Sequence, residues 1–516
     1  MKIRSLKLNQ NNNFFFNDLS VFSIFIFIKL IYWMSFGKIH IDLLFFQQTY
    51  SVKPYLEALN NHFLEYLFFF HTKPIGIVLY HKLSLLLVGN IYTGSFLFTS
   101  ILNCFACLLM FKSLSEFKVN KFLGLLASIN FSIATLAWEY WRSSSHFDHP
   151  NIFIFMFFCW GIIKFLDNQK FFNLVVLFMS SLLLGIFHSF GFILVPIFLI
   201  LLIIFIKKNN KISLKNIICL SFPVIIIALM CYKNYFNVGV FAPSTVGGQN
   251  TLQFASMWSS KHLDKLVKRS DLPYWWKWCY HKGAKVYPDI KVLGSLYGNC
   301  YENEDDKKNI KSILKQYGEI DLLNKIKQND IKKVQKPWLF HGGIPESSSV
   351  LAVEYGKLSS KIWPDFLIND TKLFLTQWKS SIRIFLNGSR FFYNDAYEPQ
   401  YMPRTDQVRY AGKILYFVSF ISIIIFLISP IFMLYYFFIK TISSPKHLKI
   451  GFYALIFWSV GFLTTSFTCC ENARMYVSVS TIPYLLGIVF INFVFLTIYK
   501  FTKKLIPTIL IIGSKK

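Results

Sequence analysis

Long apolar stretches recur along almost the whole chain, beginning with VFSIFIFIKLIYWMSF at 21–36. About 20 such residues in a helix cross the ~30 Å of hydrocarbon in a bilayer. Hydrocarbon offers the backbone no hydrogen-bond partner, so a spanning segment must satisfy its own amides as a helix or within a closed barrel. These runs are continuous rather than alternating, which predicts an all-α polytopic membrane protein. Further spans are expected at roughly 93–111, 121–138, 151–166, 171–187, 190–206, 214–232, 412–439, 450–468 and 475–498, a bundle of about ten or eleven transmembrane helices. With 54% hydrophobic and only 16% charged residues among 516, the chain is neither disordered, nor fibrous, nor an ordinary water-soluble enzyme.

Lysines sort the connections. One set carries Lys112, Lys118 and Lys121, then Lys164 and Lys170, then Lys207, Lys208, Lys211 and Lys215, then Lys440, Lys446 and Lys449, then Lys500, Lys503 and Lys504. The alternate set, WRSSSHFDHP, FHSFG and TCCENARMYVS, has no Lys. The positive-inside rule places the first set in the cytoplasm, and the N-terminus with it. The first apolar run has no small-residue cleavage site after it and reads as a retained span. The segment 74–90 carries His81 and Lys82 at its middle, and a crossing there would swap every later loop. It is therefore expected to be interfacial or re-entrant on the outer face. Lys29 lies within the first span, where it either snorkels or pairs.

Residues 233–411 change character, with Pro, Gly, Trp and charge clusters such as YENEDDKKN. By parity this stretch lies outside and forms a small helical region. The expected organisation is thus an N-terminal transmembrane module at 1–232 containing a first outer loop (37–92), an extracytoplasmic region at 233–411 and a C-terminal transmembrane module at 412–516. No internal repeat is visible. The net charge of +28 carries no nucleic-acid signature and reads as topology and contact with anionic headgroups. Cys104 and Cys107 form a CxxC inside an apolar run and read as core packing rather than a zinc site. Cys279 and Cys300 would pair in an oxidising compartment.

The rare polar groups gather on the outer side. Of 26 acids, 17 fall in 233–411, and of the remaining nine only Asp18, Glu116 and Asp167 are expected in the cytoplasm. Only eight basic residues are Arg, and two of them, Arg142 and Arg474, lie in outer loops where the orientation rule gives no reason for positive charge. Arg suits bidentate phosphate binding. Asp42, just after the first span, is either a solvated edge carboxylate or a general base for an acceptor hydroxyl. WEYWRSSSHFDHP brings Glu139, Arg142, His146, Asp148 and His149 into one polar loop whose spacing matches no strong metal motif. Glu471 and Arg474 are i, i+3, either an ion pair at a span boundary or part of a site. KNYFNVGVFAPSTVGGQN supplies a Gly- and Ser/Thr-bearing loop after the span ending near Cys231.

In this order these segments resemble the GT-C superfamily of integral-membrane glycosyltransferases, most closely its protein-mannosyltransferase and aminoarabinose-transferase branch. Asp42 sits where that family has a catalytic Asp after the first span, though Leu43 replaces the frequent second acid. His71-Thr72-Lys73-Pro74-Ile75-Gly76 is similar to the family's later Pro-bearing element, with one Pro only. Asp148 matches a second Asp, Lys233-Asn234-Tyr235 and Pro243 through Asn250 echo the mid-chain stretch, and Glu471, Arg474, Tyr476 and Pro483 echo the late one. The motifs span nearly the whole chain; 260–400 has no counterpart. The resemblance implies a GT-C-like fold and inverting transfer of a sugar from a polyprenyl-phosphate carrier to a glycan, lipid or protein acceptor on the outer face. It implies Asp42 as base, Arg142, Arg474, Lys73 and also Lys53 as candidates for the carrier phosphate, and Asp148, His146, His149, Glu471 and His71 for acceptor or orientation. No cofactor is required and no metal is inferred.

An O-antigen polymerase or ligase is the first rival reading and a multi-pass transporter the second; a membrane protein without catalysis is the third. The Lys-rich, Arg-poor composition favours a bacterial inner membrane, with the endoplasmic reticulum as alternative. There Asn369-Asp370-Thr371 and Asn387-Gly388-Ser389 would be sequons.

Overall fold

Among the described residues the long apolar runs are folded as helix. The structure is a computed structural model and describes residues 17–36, 53–142, 150–209, 213–245, 268–279, 304–340, 350–369, 371–387, 406–423 with scattered positions to 435, 445–467 and 472–513. Among the described residues every regular element is helical. The first half of the chain gives α1 (Asp18–Phe36), α2 (Lys53–Asn61), α3 (Phe63–Phe69), α4 (Gly76–Val88), α5 (Ile91–Glu116), α6 (Lys121–Arg142), α7 (Asn151–Asp167), α8 (Phe171–Phe187), α9 (Gly191–Asn209) and α10 (Leu214–Val238). The second half gives α11 (Glu304–Gln316), α12 (Ile320–Gln335), α13 (Val350–Ser360), α14 (Ile362–Asn369), α15 (Thr371–Leu386), α16 (Asp406–Ile421), α17 (Pro445–Phe467), α18 (Asn472–Val479) and α19 (Thr481–Gly513).

Five helical segments among the described residues are long and apolar enough to cross a membrane: Asp18–Ser35, Thr93–Glu116, Leu214–Val238, Leu448–Ser466 and Thr481–Lys503. Shorter apolar helices at Gly76–Val88, Lys121–Leu136, Phe171–Phe187 and Gly191–Ile206 pack among them. Most expected spans end within a few residues of an observed helix. Of the expected span 412–439, helix is described over Asp406–Ile421 and most of the rest lies outside the described residues. Two segments depart from expectation. The segment 475–498 is two helices, α18 and α19, broken at Ser480. Pro483 explains the break: it has no N–H for the Val479 carbonyl and is tolerated only in a first turn. The WEYWR residues, expected in a loop, continue α6 to Arg142.

α4 holds 13 residues and is too short to cross. It folds back along the start of α5, where Tyr80 donates to the Ser95 carbonyl at 2.6 Å and meets Thr99 Oγ1 at 2.7 Å. Its Lys82 ammonium leaves the packed face and sits 5.7 Å from the Phe63 ring centroid.

Charges at one end of the bundle tie four helices together. Lys112 pairs with Asp18, Lys164 with Glu116, and Lys449 with both Asp167 and Glu116, the last at 3.8 Å. Lys112 and Lys164 flank the Trp160 ring at 5.8 and 5.6 Å. The three acids expected on one side of the membrane are thus gathered at one end with lysines from the Lys-rich loops.

The 233–411 region builds its own apolar core from Trp275, Trp276, Ile310, Leu314, Leu323 and Tyr355. It is also wedged into the bundle. On α15, Trp378 Nε1 donates to Thr465 Oγ1 at 3.0 Å, and Phe385 meets Phe457 at a tilt and Tyr476 edge-on in the bundle core. α10 carries Pro223 at its middle, leaving the Cys219 carbonyl without its helical donor.

Close helix contacts rest on small residues. A Cβ at Gly487 of α19 would lie 2.1 Å from the Val418 carbonyl oxygen of α16. That neighbour is backbone and cannot rotate away, so Gly487→Ala is expected to destabilise the fold by about 1–3 kcal/mol. Thermal unfolding in detergent checks this; an unchanged midpoint contradicts the α16–α19 contact.

Candidate functional site

Two segments singled out in the sequence, His71–Gly76 and Lys233–Thr245, are interlocked. α3 is seven residues long, so its last carbonyls need partners from outside the helix. α10 provides them from one face: Lys233 Nζ donates to the Leu67 carbonyl at 3.2 Å and to the Phe70 carbonyl, and Asn237 Nδ2 donates to the Phe68 carbonyl at 2.7 Å. A cation at a helix C-terminus also meets the negative end of its dipole. α10 then ends at Gly239, whose φ of +71° favours glycine. Asn234 Nδ2 donates to the Ala242 carbonyl at 2.7 Å and folds the following loop back.

That loop reaches the turn after α3. Thr245 N donates to the His71 carbonyl at 2.9 Å, Thr245 Oγ1 lies 3.0 Å from His71 Nδ1, and Ser244 Oγ donates to the Thr72 carbonyl at 2.6 Å. Thr72 Oγ1 is buried there without a hydrogen-bond partner. Lys73 is buried, and its charge acts on His81, whose Nδ1 is 2.8 Å from Tyr55 OH. Below them α2 and α3 pack on a 3-10 turn at Pro337–Phe340. His62 stacks on Trp338 with centroids 4.2 Å apart, and Lys336 pairs with Glu65.

His71 keeps part of its surface, yet protein surrounds its ring. Burial, reinforced by the charges of Lys233 and Lys332, pushes its imidazole down to about 4. At neutral pH it is an uncharged hydrogen-bonding group rather than a cation for phosphate. The buried cation of this corner is Lys73, and Lys233 at the end of α10 is half-buried.

A second polar centre lies inside the bundle, and sequence reasoning missed it. Lys29 Nζ donates to the Ser132 carbonyl at 2.9 Å, to Thr135 Oγ1 at 3.1 Å and to Glu139 Oε1. Glu139 accepts in addition from Asn103 Nδ2 at 2.8 Å and from Ser100 Oγ at 3.0 Å. All three ammonium protons and both carboxylate oxygens are engaged. Lys29 therefore pairs rather than snorkels, and Glu139 is an acid of the bundle interior instead of the outer loop. A signal for this was present: Ser132, Thr135 and Glu139 follow i, i+3, i+7 and share one helical face.

The structure brings His71 and Lys73 together with Ser244 and Thr245. Arg142 closes α6, one turn beyond Glu139, and Arg474 lies on α18, which packs against α7, α15 and α17. Asp42, His146, Asp148, His149 and Glu471 lie outside the described residues, as do Gly247 and Gly248. Lys53 opens α2. Among the described residues no three His, Cys, Asp or Glu side chains converge to hold a metal. The described bundle cysteines 104, 107, 159, 219 and 231 are free thiols, whereas Cys279 is in a disulfide bond; Cys300, its expected partner, is outside the described residues.

Two expectations follow. The folded pKa of His71 lies below the ordinary value of 6.5, so the unfolded chain takes up the proton first as pH falls. Stability from this contact is full above about pH 6.5 and is lost as pH falls toward 4. His71→Gln should flatten that part of the acid limb in thermal unfolding between pH 7.5 and 4.5; identical slopes contradict it. For the interior pair, Glu139→Leu alone strands a buried ammonium and should cost about 3–5 kcal/mol, most of it recovered by Lys29→Met in the double variant. Strictly additive losses would remove the coupling.

No protein-family model, curated protein or solved structure matches this chain.

Proposed function

We propose that the protein is an integral-membrane glycosyltransferase of the GT-C type, with about ten spans, that moves a sugar from a polyprenyl-phosphate carrier to an acceptor at the outer face. The observation that carries this reading is the direct contact between His71–Thr72 and Ser244–Thr245. These belong to two segments that resemble separate GT-C motifs, lie about 170 residues apart, and meet at the end of the bundle opposite the Asp18, Glu116 and Asp167 charge layer. A disulfide at Cys279 and free thiols in the bundle also fit an outer placement of the 233–411 region. The setting is a bacterial inner membrane with the site facing outward.

In this reading Asp42 removes the proton of the acceptor hydroxyl as its oxygen attacks the anomeric carbon. The carrier phosphate departs with the bonding electrons, and its growing charge is met by Lys73, Arg142 and Arg474. Neutral His71 holds the turn that carries Lys73, and Asp148, His146, His149 and Glu471 orient the acceptor. An intramembrane ion pair such as Lys29–Glu139 is what the transporter reading would use. Its donors and acceptors are mutually engaged, which favours a clamp on α1 over an open ion site.

The test is transfer from a radiolabelled polyprenyl-phosphate sugar pool in membranes. Asp42→Asn should lower label incorporation by about 10²–10⁴-fold at unchanged expression. Equal incorporation removes Asp42 as base. Absence of transfer with any donor in the unmodified protein moves the assignment to a polymerase or ligase, or to a transporter.

A further inference from the structure

The two faces of α15 demand different surroundings. Phe374, Ser381 and Phe385 are buried on one side, with Trp378 half-buried beside them. Lys372, Thr376, Lys379, Ser380 and Arg383 are exposed on the other, and the helix contains no acid. Steps of four, three and four residues from Lys372 through Thr376 and Lys379 to Arg383 hold these groups on one face for about three turns. Among the described residues Arg383 has no ion-pair partner.

This basic face descends along the bundle. Lys449 of α17 lies in the charge layer, where it meets Asp167 and Glu116. From Lys449, Gly461 is ~18 Å and Thr465 ~24 Å of helix rise along α17. A Cβ at Gly461 would lie 3.0 Å from the Phe385 ring, and Thr465 accepts from Trp378. Arg383 falls between Trp378 and Phe385 on α15, so its backbone lies within the ~30 Å of hydrocarbon measured from that layer. A guanidinium facing lipid at such a depth is strongly disfavoured. The outward face of α15 therefore needs water or a polar ligand. Its border is apolar: Leu375 is exposed beside it, and exposed Phe462 of α17 meets the Trp378 ring edge-on at 6.0 Å.

We propose that this face of α15 lines a recess open to the outer side, and that Arg383 at its inner end holds the phosphate of a polyprenyl-phosphate carrier whose chain stays in the bilayer. The ligand is an anion because every charge on the face is positive, and the guanidinium fork matches phosphate oxygens. It is lipid-borne because the recess lies at hydrocarbon depth and borders exposed apolar surface. A terminal phosphomonoester offers the fork more free oxygens and more charge than the diester of an ordinary phospholipid. The choice of a polyprenyl carrier rests on the glycosyltransferase reading. Arg383 itself falls in the 260–400 stretch that has no counterpart in the resemblance.

Retention of radiolabelled polyprenyl phosphate by the full-length protein in a neutral detergent tests this. Arg383→Gln should weaken the apparent Kd by about tenfold or more at an unchanged thermal midpoint, and Arg383→Lys should recover part of the loss. Lys361→Gln removes an equal charge from the exposed turn after α13 and should leave retention unchanged. No retention by the unmodified protein overturns the proposal, as does equal retention by Arg383→Gln or an equal loss in Lys361→Gln. Displacement by inorganic phosphate marks a site for a soluble anion and overturns it; displacement by phosphatidylglycerol at equal concentration marks general headgroup contact and does the same. Sugar transfer by the same preparations separates this idea from the reading it rests on. Transfer by the unmodified protein with undiminished retention in Arg383→Gln removes Arg383 and leaves the glycosyltransferase standing. Retention that depends on Arg383 without transfer from any donor supports the phosphate site and removes the glycosyltransferase.

Discussion

Hydrocarbon offers no hydrogen-bond partner, and that constraint shapes every level of this molecule. It makes the long apolar runs helical, because only a helix satisfies its own amides without help from a neighbouring segment. It then dictates where polar side chains go. Inside the bundle the charged groups are the ones that are matched, as in Lys29 and Glu139, whose three ammonium protons and two carboxylate oxygens all have partners. At the two ends they are free to vary, and there the protein concentrates its charge.

The two ends differ in kind. At one, Lys112, Lys164 and Lys449 meet Asp18, Glu116 and Asp167 in pairs that fasten helices together. At the other, side chains bond backbone carbonyls, so that Lys233, Asn237 and Ser244 hold loops in place. A layer of mutually satisfied ions is suited to anchoring. The other end is an edge of short helices that holds a buried Lys73 and a Thr72 hydroxyl without a hydrogen-bond partner.

The helical class and most helix boundaries were legible because hydrophobic runs and lysine-bearing turns report them directly. The 171–187 helix is found where its sequence places it. The grouping of Asp18, Glu116 and Asp167 was legible for the same reason, since topology alone sorts them. Glu139 was misplaced because the aromatic Trp138, Tyr140 and Trp141 read as a boundary belt while the helix carried on through them. Its partner is 110 residues away, a distance that no local pattern encodes. The meeting of His71 with Thr245 was not legible, since the sequence places both segments on the outer side and pairs neither residue with the other. The capping role of Lys233 and Asn237 could not be read, because it depends on how α3 ends against α10.

The same capping makes one mechanical piece of several segments. The last turn of α10, α3 and the His71–Ile75 turn are joined by bonds to the carbonyls of Leu67, Phe68, Phe70, His71 and Thr72. A flap-like opening of the turn would break all of them together. Bending at Pro223, where α10 already lacks a hydrogen bond, breaks none. Pro223 lies about ten residues, or ~15 Å of helix rise, below Lys233, so a bend there would carry the last turns of α10 and the Lys73 corner as one unit.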